Sequence, residues 1–125
     1  GKQSGCMNES DITAVKNAIE KFAENDVEIH VTELAVRNYD NNAEPEHAAF
    51  YKKLMQTYVD INKAAQAAGK TGPITSLSIW GLFDAPYLST ADYSYKMNGP
   101  YCGLFTELYQ PKQSFKEVYE VLAAE

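Results

Sequence analysis

The sequence predicts a parallel α/β protein, and three observations carry that expectation. Two apolar runs of strand length, VEIHVTEL at 27–34 and ITSLSIWGL at 74–82, lie about one helix apart. Segments with helical periodicity precede, separate and follow them, giving the order helix, strand, loop, helix, strand, loop, helix. Each run also ends in polar or aromatic chemistry: Glu33 on the first, Trp80 on the second, with Asp84 just beyond. In parallel α/β folds function gathers at the carboxyl ends of the strands.

The elements follow in order. Over residues 11–25, Ile12, Val15, Ile19 and Phe22 recur at spacings of three and four, as on an amphipathic helix. Ser10 suits its N-cap and Asp11 its first turn, and Asn25 and Asp26 stop it. Val27, Ile29 and Val31 then alternate along a strand, and Glu33 falls next on the same side. A carboxylate ending an apolar face costs free energy unless it is paired, hydrogen-bonded or used. By the same alternation His30 falls on the other side, toward the helix layer. The stretch NYDNNAEPE is a loop of turn formers, and Pro45 suits the first turn of a second helix. That helix runs to about Ala68, with Phe50, Leu54, Tyr58, Ile61 and Ala65 on one stripe and Gly69 just past its end. After the second strand, residues 83–110 form a long loop rich in Tyr, Gly, Asn and Asp. A loop of that length in a compact domain is usually functional or covers something. The last segment, 111–125, is a short helix with Phe115, Val118 and Leu122 on one face.

The 125 residues make one ordinary domain, and 45% apolar with 22% charged residues is a globular composition. Seventeen acidic against eleven basic residues give a net charge of −6, which argues against nucleic acid or an anionic membrane as main partner. No apolar run approaches a membrane span. The opening GKQSGCMNES lacks the apolar core of a signal peptide and an initiator Met, and reads as a processed chain or a fragment. Cys6 and Cys102 fit a disulfide or two thiols used as small apolar residues, so cysteine usage does not fix the compartment. Nucleotide fingerprints of the GxGxxG and GxxxxGK[ST] types are absent, as are zinc patterns and a Ser-His-Asp set. Two parallel strands have two open edges, so further strands come from elsewhere or the chain is part of something larger.

EIHVTEL, then WGLFDAP, then GLFTELYQPKQSFKEV together resemble the C-terminal part of glycoside hydrolase family 10, the endo-β-1,4-xylanases built as eight-stranded (β/α) barrels. The resemblance covers nearly the whole chain, read as a single partial domain over 1–125. It implies an incomplete TIM barrel: the end of strand six in GKQSG, helix six, strand seven at 27–34, helix seven, strand eight at 74–82 and helix eight. The Glu of the family's T-E-L-D motif is the catalytic nucleophile, and Glu33 stands there in Thr32-Glu33-Leu34. Trp80 matches the Trp opening the W-G-x-x-D motif, an apolar wall of the sugar cleft, and Asp84 matches its acidic residue. Gln3 matches the Gln of a G-x-Q-S-H pattern near the cleft floor, and Tyr87 is a further candidate for sugar contact. The implied activity is hydrolysis of xylan with retention of configuration, outside the cell, with no metal or organic cofactor. Xylan or xylo-oligosaccharide is the implied ligand; separately, the open strand edges suggest a piece that folds only with a complementary barrel fragment or a second copy.

The departures from the family pattern are equally specific. The acid/base Glu belongs to an N-E motif on strand four, and the Asn-Glu pair here, Asn8-Glu9, is in the wrong context. Retaining hydrolysis needs two carboxyl groups roughly 5–5.5 Å apart, so half of the pair is missing and this chain alone is expected to be inactive. Gly5 and Ala35 replace the His and Asp that in the family hydrogen-bond with the nucleophile, and Leu88 replaces a second Trp. A rival reading is therefore a non-catalytic carbohydrate-binding or assembly fragment. Simpler readings also stand beside individual residues. Trp80 serves equally as core, and most tyrosines at 87, 93, 95, 101 and 109 are expected to pin the long loop. The Glu44-x-x-His47 pair has a spacing seen in carboxylate-bridged metal sites but lacks mates on other helices, and reads as a solvated helix terminus.

Overall fold

The computed structural model describes residues 7–87 and 98–124. Along the chain run α1 (Glu9–Ala23), β1 (Ile29–Leu34), a short 3-10 turn (Asn41–Ala43), α2 (Glu44–Ala67), β2 (Ile74–Ile79) and α3 (Gln113–Ala123). The predicted order holds, and β1 and β2 pair in parallel across the α2 crossover. Helix α1 begins two residues before the expected start, with Asn8 rather than Ser10 at the N-cap. Its stop is the predicted one, with Asp26 in the left-handed region at φ 55°. Pro45 lies in the first turn of α2. Past its end Gly69 (φ 77°) lets the Lys70 amide reach the Ala65 carbonyl and its own amide reach that of Gln66, a complete Schellman closure.

All three helices cover one face of the sheet. Tyr51, Leu54, Met55, Tyr58, Val59 and Ile61 of α2 form the spine of the core, with Ile19, Val36, Leu104, Val118 and Val121 around them. The buried stripe of α2 is thus centred on Tyr51 and Met55, with Phe50 at its margin. On α3 the buried face is Ser114, Val118 and Val121, while Leu122 is exposed. Ile29, Val31 and Leu34 of β1 and Ile74, Leu77 and Ile79 of β2 turn toward this layer.

The opposite sheet face is polar and open, with His30, Thr32, Thr75, Ser76 and Ser78 exposed. His30 is therefore not directed at the helices as its alternation with Glu33 predicts; it stands outside, 3.3 Å from Glu28 Oε1. Ile29 and Val31 face the helices, so plain alternation sends His30 outward, and Glu33 joins that side through a register irregularity. Val31 pairs with Leu77 and Leu34 with Ile79, so β1 advances three residues where β2 advances two. One extra residue reverses the side on which the next side chain falls. Leu34 takes the inward place, and Glu33 leaves the side of Ile29 and Val31 for solvent.

The segment after β2 is stitched to the start of α3 by an aromatic run. Phe83 and Phe105 lie 5.7 Å apart and Phe105 and Phe115 4.7 Å. The core assignment predicts a sharp contrast. Met55→Ala, at 1% exposure, should lower unfolding free energy in urea by about 2–5 kcal/mol. Phe22→Ala, at 62% exposure on the expected stripe of α1, should change it by less than about 0.5 kcal/mol.

Candidate active site

The two strand ends are joined directly: the Trp80 amide donates to the Leu34 carbonyl at 2.8 Å. Glu33, one residue before that carbonyl, is exposed. Ile79 packs inward, so alternation turns Trp80 to the open face, where it remains 45% exposed. Gly81 follows with φ 76°, a backbone state that turns the chain away from the strand immediately after the indole. A carboxylate and a large aromatic side chain therefore stand on adjacent strand ends, at the side away from the helices. Among the described residues no hydrogen bond or ion pair holds the Glu33 carboxylate, and Ala35 follows it without a polar side chain.

The loops behind these ends are held by buried charge. Lys112 Nζ lies 2.9 Å from Asp84 Oδ1, 3.0 Å from the Tyr101 carbonyl, 2.9 Å from that of Gly103 and 3.3 Å from Glu44 Oε1. Glu44 Oε1 also meets His47 Nδ1 at 2.9 Å, and Glu44 Oε2 accepts from the Ser114 amide at 2.9 Å. His47 Nε2 reaches the Val36 carbonyl at 3.1 Å, just past the end of β1. Burial opposes ionisation of Glu44, but His47, the Ser114 amide and Lys112 outweigh it and hold the carboxyl down at about 2. For Asp84 burial wins: it pushes the carboxyl up, and Lys112 and the Gly103 amide offset this only in part.

The sequence-derived candidates fall into distinct places. Glu33 and Trp80 are brought together at the strand ends. Tyr87 is 72% exposed on the following loop. Asp84 is 5% exposed, and its Oδ1 is occupied by Lys112 and by the Gly103 amide at 3.0 Å. Gln3 and Gly5 lie outside the described residues, as do Leu88, Tyr93 and Tyr95. Tyr101 is half-buried, and its amide donates to the Asn38 carbonyl, whereas Tyr109 is 72% exposed. Glu9 opens α1 and pairs with Lys53, far from a strand end. The expectation of a solvated terminus at Glu44 and His47 is overturned: His47 is fully buried, with its edge on Tyr51. Of its partners, the Glu44 carboxylate was visible in the three-residue spacing, but the Val36 carbonyl that draws the ring inside was not.

Lys112 was the functional-end residue that sequence reasoning passed over. Its signal was weak: a lysine between Pro111 and a helix start, which normally belongs in solvent. A hollow of about 390 Å³ lies on the helix side of the β1 end, lined by Leu34, Ala35, Val36 and Arg37 with side chains from α1 and α2. A larger one of about 840 Å³ opens among the amino ends of the strands, away from Glu33 and Trp80. Among the described residues no group of three or more His, Cys, Asp or Glu side chains is placed to hold a metal ion. None of the described helices is long and apolar enough to cross a membrane.

A parallel βαβ unit with its polar chemistry at the strand carboxyl ends is the repeating element of parallel α/β proteins. The sequence matches Glycosyl hydrolase family 10 over residues 1–121, and the chain belongs to that family. It is 35% identical over 80 residues to endo-1,4-beta-xylanase B of Butyrivibrio fibrisolvens, an alignment covering 62% of this chain and 12% of that protein. Among solved structures it resembles the xylanase 10B of Clostridium thermocellum, crystallised with xylohexaose. The identity is 26% and the TM-score 0.66, covering 86% of this chain and 19% of that one. The Thermobacillus composti family 10 xylanase is 27% identical with a TM-score of 0.61, over 88% of this chain and 37% of that one. Native xylanase 10B of Thermotoga maritima shares the fold at a TM-score of 0.68 and 20% identity, over 90% of this chain and 32% of that one. The chain thus spans between 12% and 37% of the lengths of these relatives, and its described residues form two parallel strands.

The buried charges set a pH dependence. The Glu44 carboxyl is held below its ordinary 4.5, so its contribution is fully present above that pH and is lost as pH falls toward about 2. Glu44→Gln should lower stability by about 2–4 kcal/mol at pH 7. In urea titrations across pH, the gap between wild type and variant should close below pH 4.5.

Proposed function

We propose that this chain supplies the nucleophile side of a retaining endo-β-1,4-xylanase site. Its strands would be the seventh and eighth of the barrel, and residues 1–125 one partial domain. The observation that carries the reading is the pairing of Glu33 with Trp80 on adjacent strand ends, linked through Leu34 and open to solvent. In this mechanism the Glu33 carboxylate attacks the anomeric carbon of a xylose unit and forms a covalent glycosyl ester. The leaving oxygen takes a proton from a second carboxylic acid, which then acts as base on the water that releases the sugar. That second group would come from another segment of barrel, supplied by a complementary fragment or a second copy, so the isolated chain is inactive. Trp80 offers an apolar face to a sugar ring, with Tyr87 at the margin of the cleft; Gln3 remains a substrate-binding candidate from the family resemblance alone. Asp84 serves this wall from behind, through Lys112, instead of touching sugar. The ligand is neutral, which is compatible with a chain of net charge −6. The chemistry needs no metal or organic cofactor, and polymer hydrolysis of this kind belongs outside the cell.

A second reading, sugar binding without cleavage, is favoured by one observation: Glu33 lacks the acidic neighbour that Ala35 replaces, so nothing fixes its rotamer. One set of measurements separates the two. The purified chain should release no reducing sugar from xylan. Mixed with a fragment carrying the missing carboxylate it should release sugar, and Glu33→Gln should return that activity to background. Persistent activity in the variant would sink the nucleophile assignment. Trp80→Ala should weaken xylohexaose binding by about 1 kcal/mol or more in calorimetry, at least fivefold in Kd. Unchanged affinity would remove Trp80 from the cleft.

A further inference from the structure

We propose that Lys112 is a positioning residue for the sugar-binding end, clamping the loop after β1 to the loop after β2 and so holding Trp80 and Glu33 at a fixed spacing. The inference rests on the xylanase reading for its ligand, but on the side-chain geometry for its mechanism. A lysine side chain 5% exposed is rare, because an ammonium group loses much hydration on burial unless oxygens replace it. Here four do, from segments far apart in sequence: Glu44 at the start of α2, Asp84 after β2, and the Tyr101 and Gly103 carbonyls. Each arm continues to a strand end. Glu44 bonds His47, which bonds the Val36 carbonyl three residues past Glu33. Asp84 lies four residues past Trp80, and the segment between is stitched to the same carbonyl-bearing loop. The Leu104 amide donates to the Leu82 carbonyl at 2.9 Å and the Asp84 amide to that of Phe105 at 2.8 Å. The Lys112 amide adds a bond to the Leu104 carbonyl at 2.9 Å. One cation thus sits where both loops meet the first turn of α3, and no sugar contact is needed for it to matter.

The chain holds a single tryptophan, Trp80, so its fluorescence reports this site directly. Lys112→Met removes the charge at similar length and leaves Asp84 and Glu44 facing each other. Asp84→Asn/Lys112→Met also removes the Asp84 charge, which relieves the repulsion without restoring the clamp. Thermal midpoint, Trp80 anisotropy and xylohexaose Kd are measured on the full chain and both variants. A clamp requires the double variant to regain much of the thermal midpoint lost by Lys112→Met. It also requires Trp80 anisotropy to stay lowered and Kd to stay at least tenfold weaker than wild type. Wild-type anisotropy and Kd in the double variant would overturn the proposal and leave Lys112 as a counter-charge only. If Lys112→Met does not fold, the double variant carries the same comparison by itself. If the unmodified chain shows no response to xylohexaose, the xylanase reading fails, and Trp80 anisotropy alone then decides for or against the clamp.

Discussion

One buried ammonium group organises the functional end of this molecule. Around Lys112 Nζ converge a carboxylate from the first turn of α2, a carboxylate from beyond β2 and two carbonyls of the 98–112 segment. They come from three stretches of chain well separated in sequence, so their meeting is a product of the fold. Two carboxylates in such a place would repel each other without the cation between them. The opposite shifts of Glu44 and Asp84 express the same arrangement. Glu44 has three sources of positive potential against its burial, whereas Asp84 has Lys112 and one backbone amide against its own.

The second constraint is backbone register. Parallel strands joined through a helix are usually covered on both faces, yet here the helices cover one and the other is lined by Ser, Thr and His. Against that background a single extra residue in β1 decides which side Glu33 occupies. Without it the carboxylate would continue the line of Ile29 and Val31 into the helix layer, where ionisation would be costly. With it, Leu34 fills the inward place and Glu33 meets solvent beside the indole of the next strand.

Family membership places these features in a common frame. This chain covers between 19% and 37% of the xylanase chains of known structure that it resembles. Among the described residues the sheet has two strands and one polar, open face, which is compatible with a partial parallel α/β domain. The strand end is chemically uneven: the apolar Ala35 stands two residues past Glu33, whereas Glu44, Lys112 and Asp84 form a connected buried group.

Local chemistry was enough to make much of this legible in the sequence. Helical spacing located all three helices, Pro45 and Gly69 marked the ends of α2, and the T-E-L and W-G-L-F-D stretches marked the strand ends. These signals lie within a few residues of what they determine, so sequence alone fixed element order, strand direction and the candidacy of Glu33 and Trp80. What it misjudged depended on distant partners. The outward placement of His30 follows from which sheet face the helices cover, and the side taken by Glu33 from pairing with β2 some 45 residues away. The burial of His47 required the Val36 carbonyl, and Lys112 became an interior cation only because α2, the β2 loop and α3 meet there. Periodicity describes one element at a time, whereas register and buried charge are properties of surfaces in contact, and only the tertiary structure could decide them.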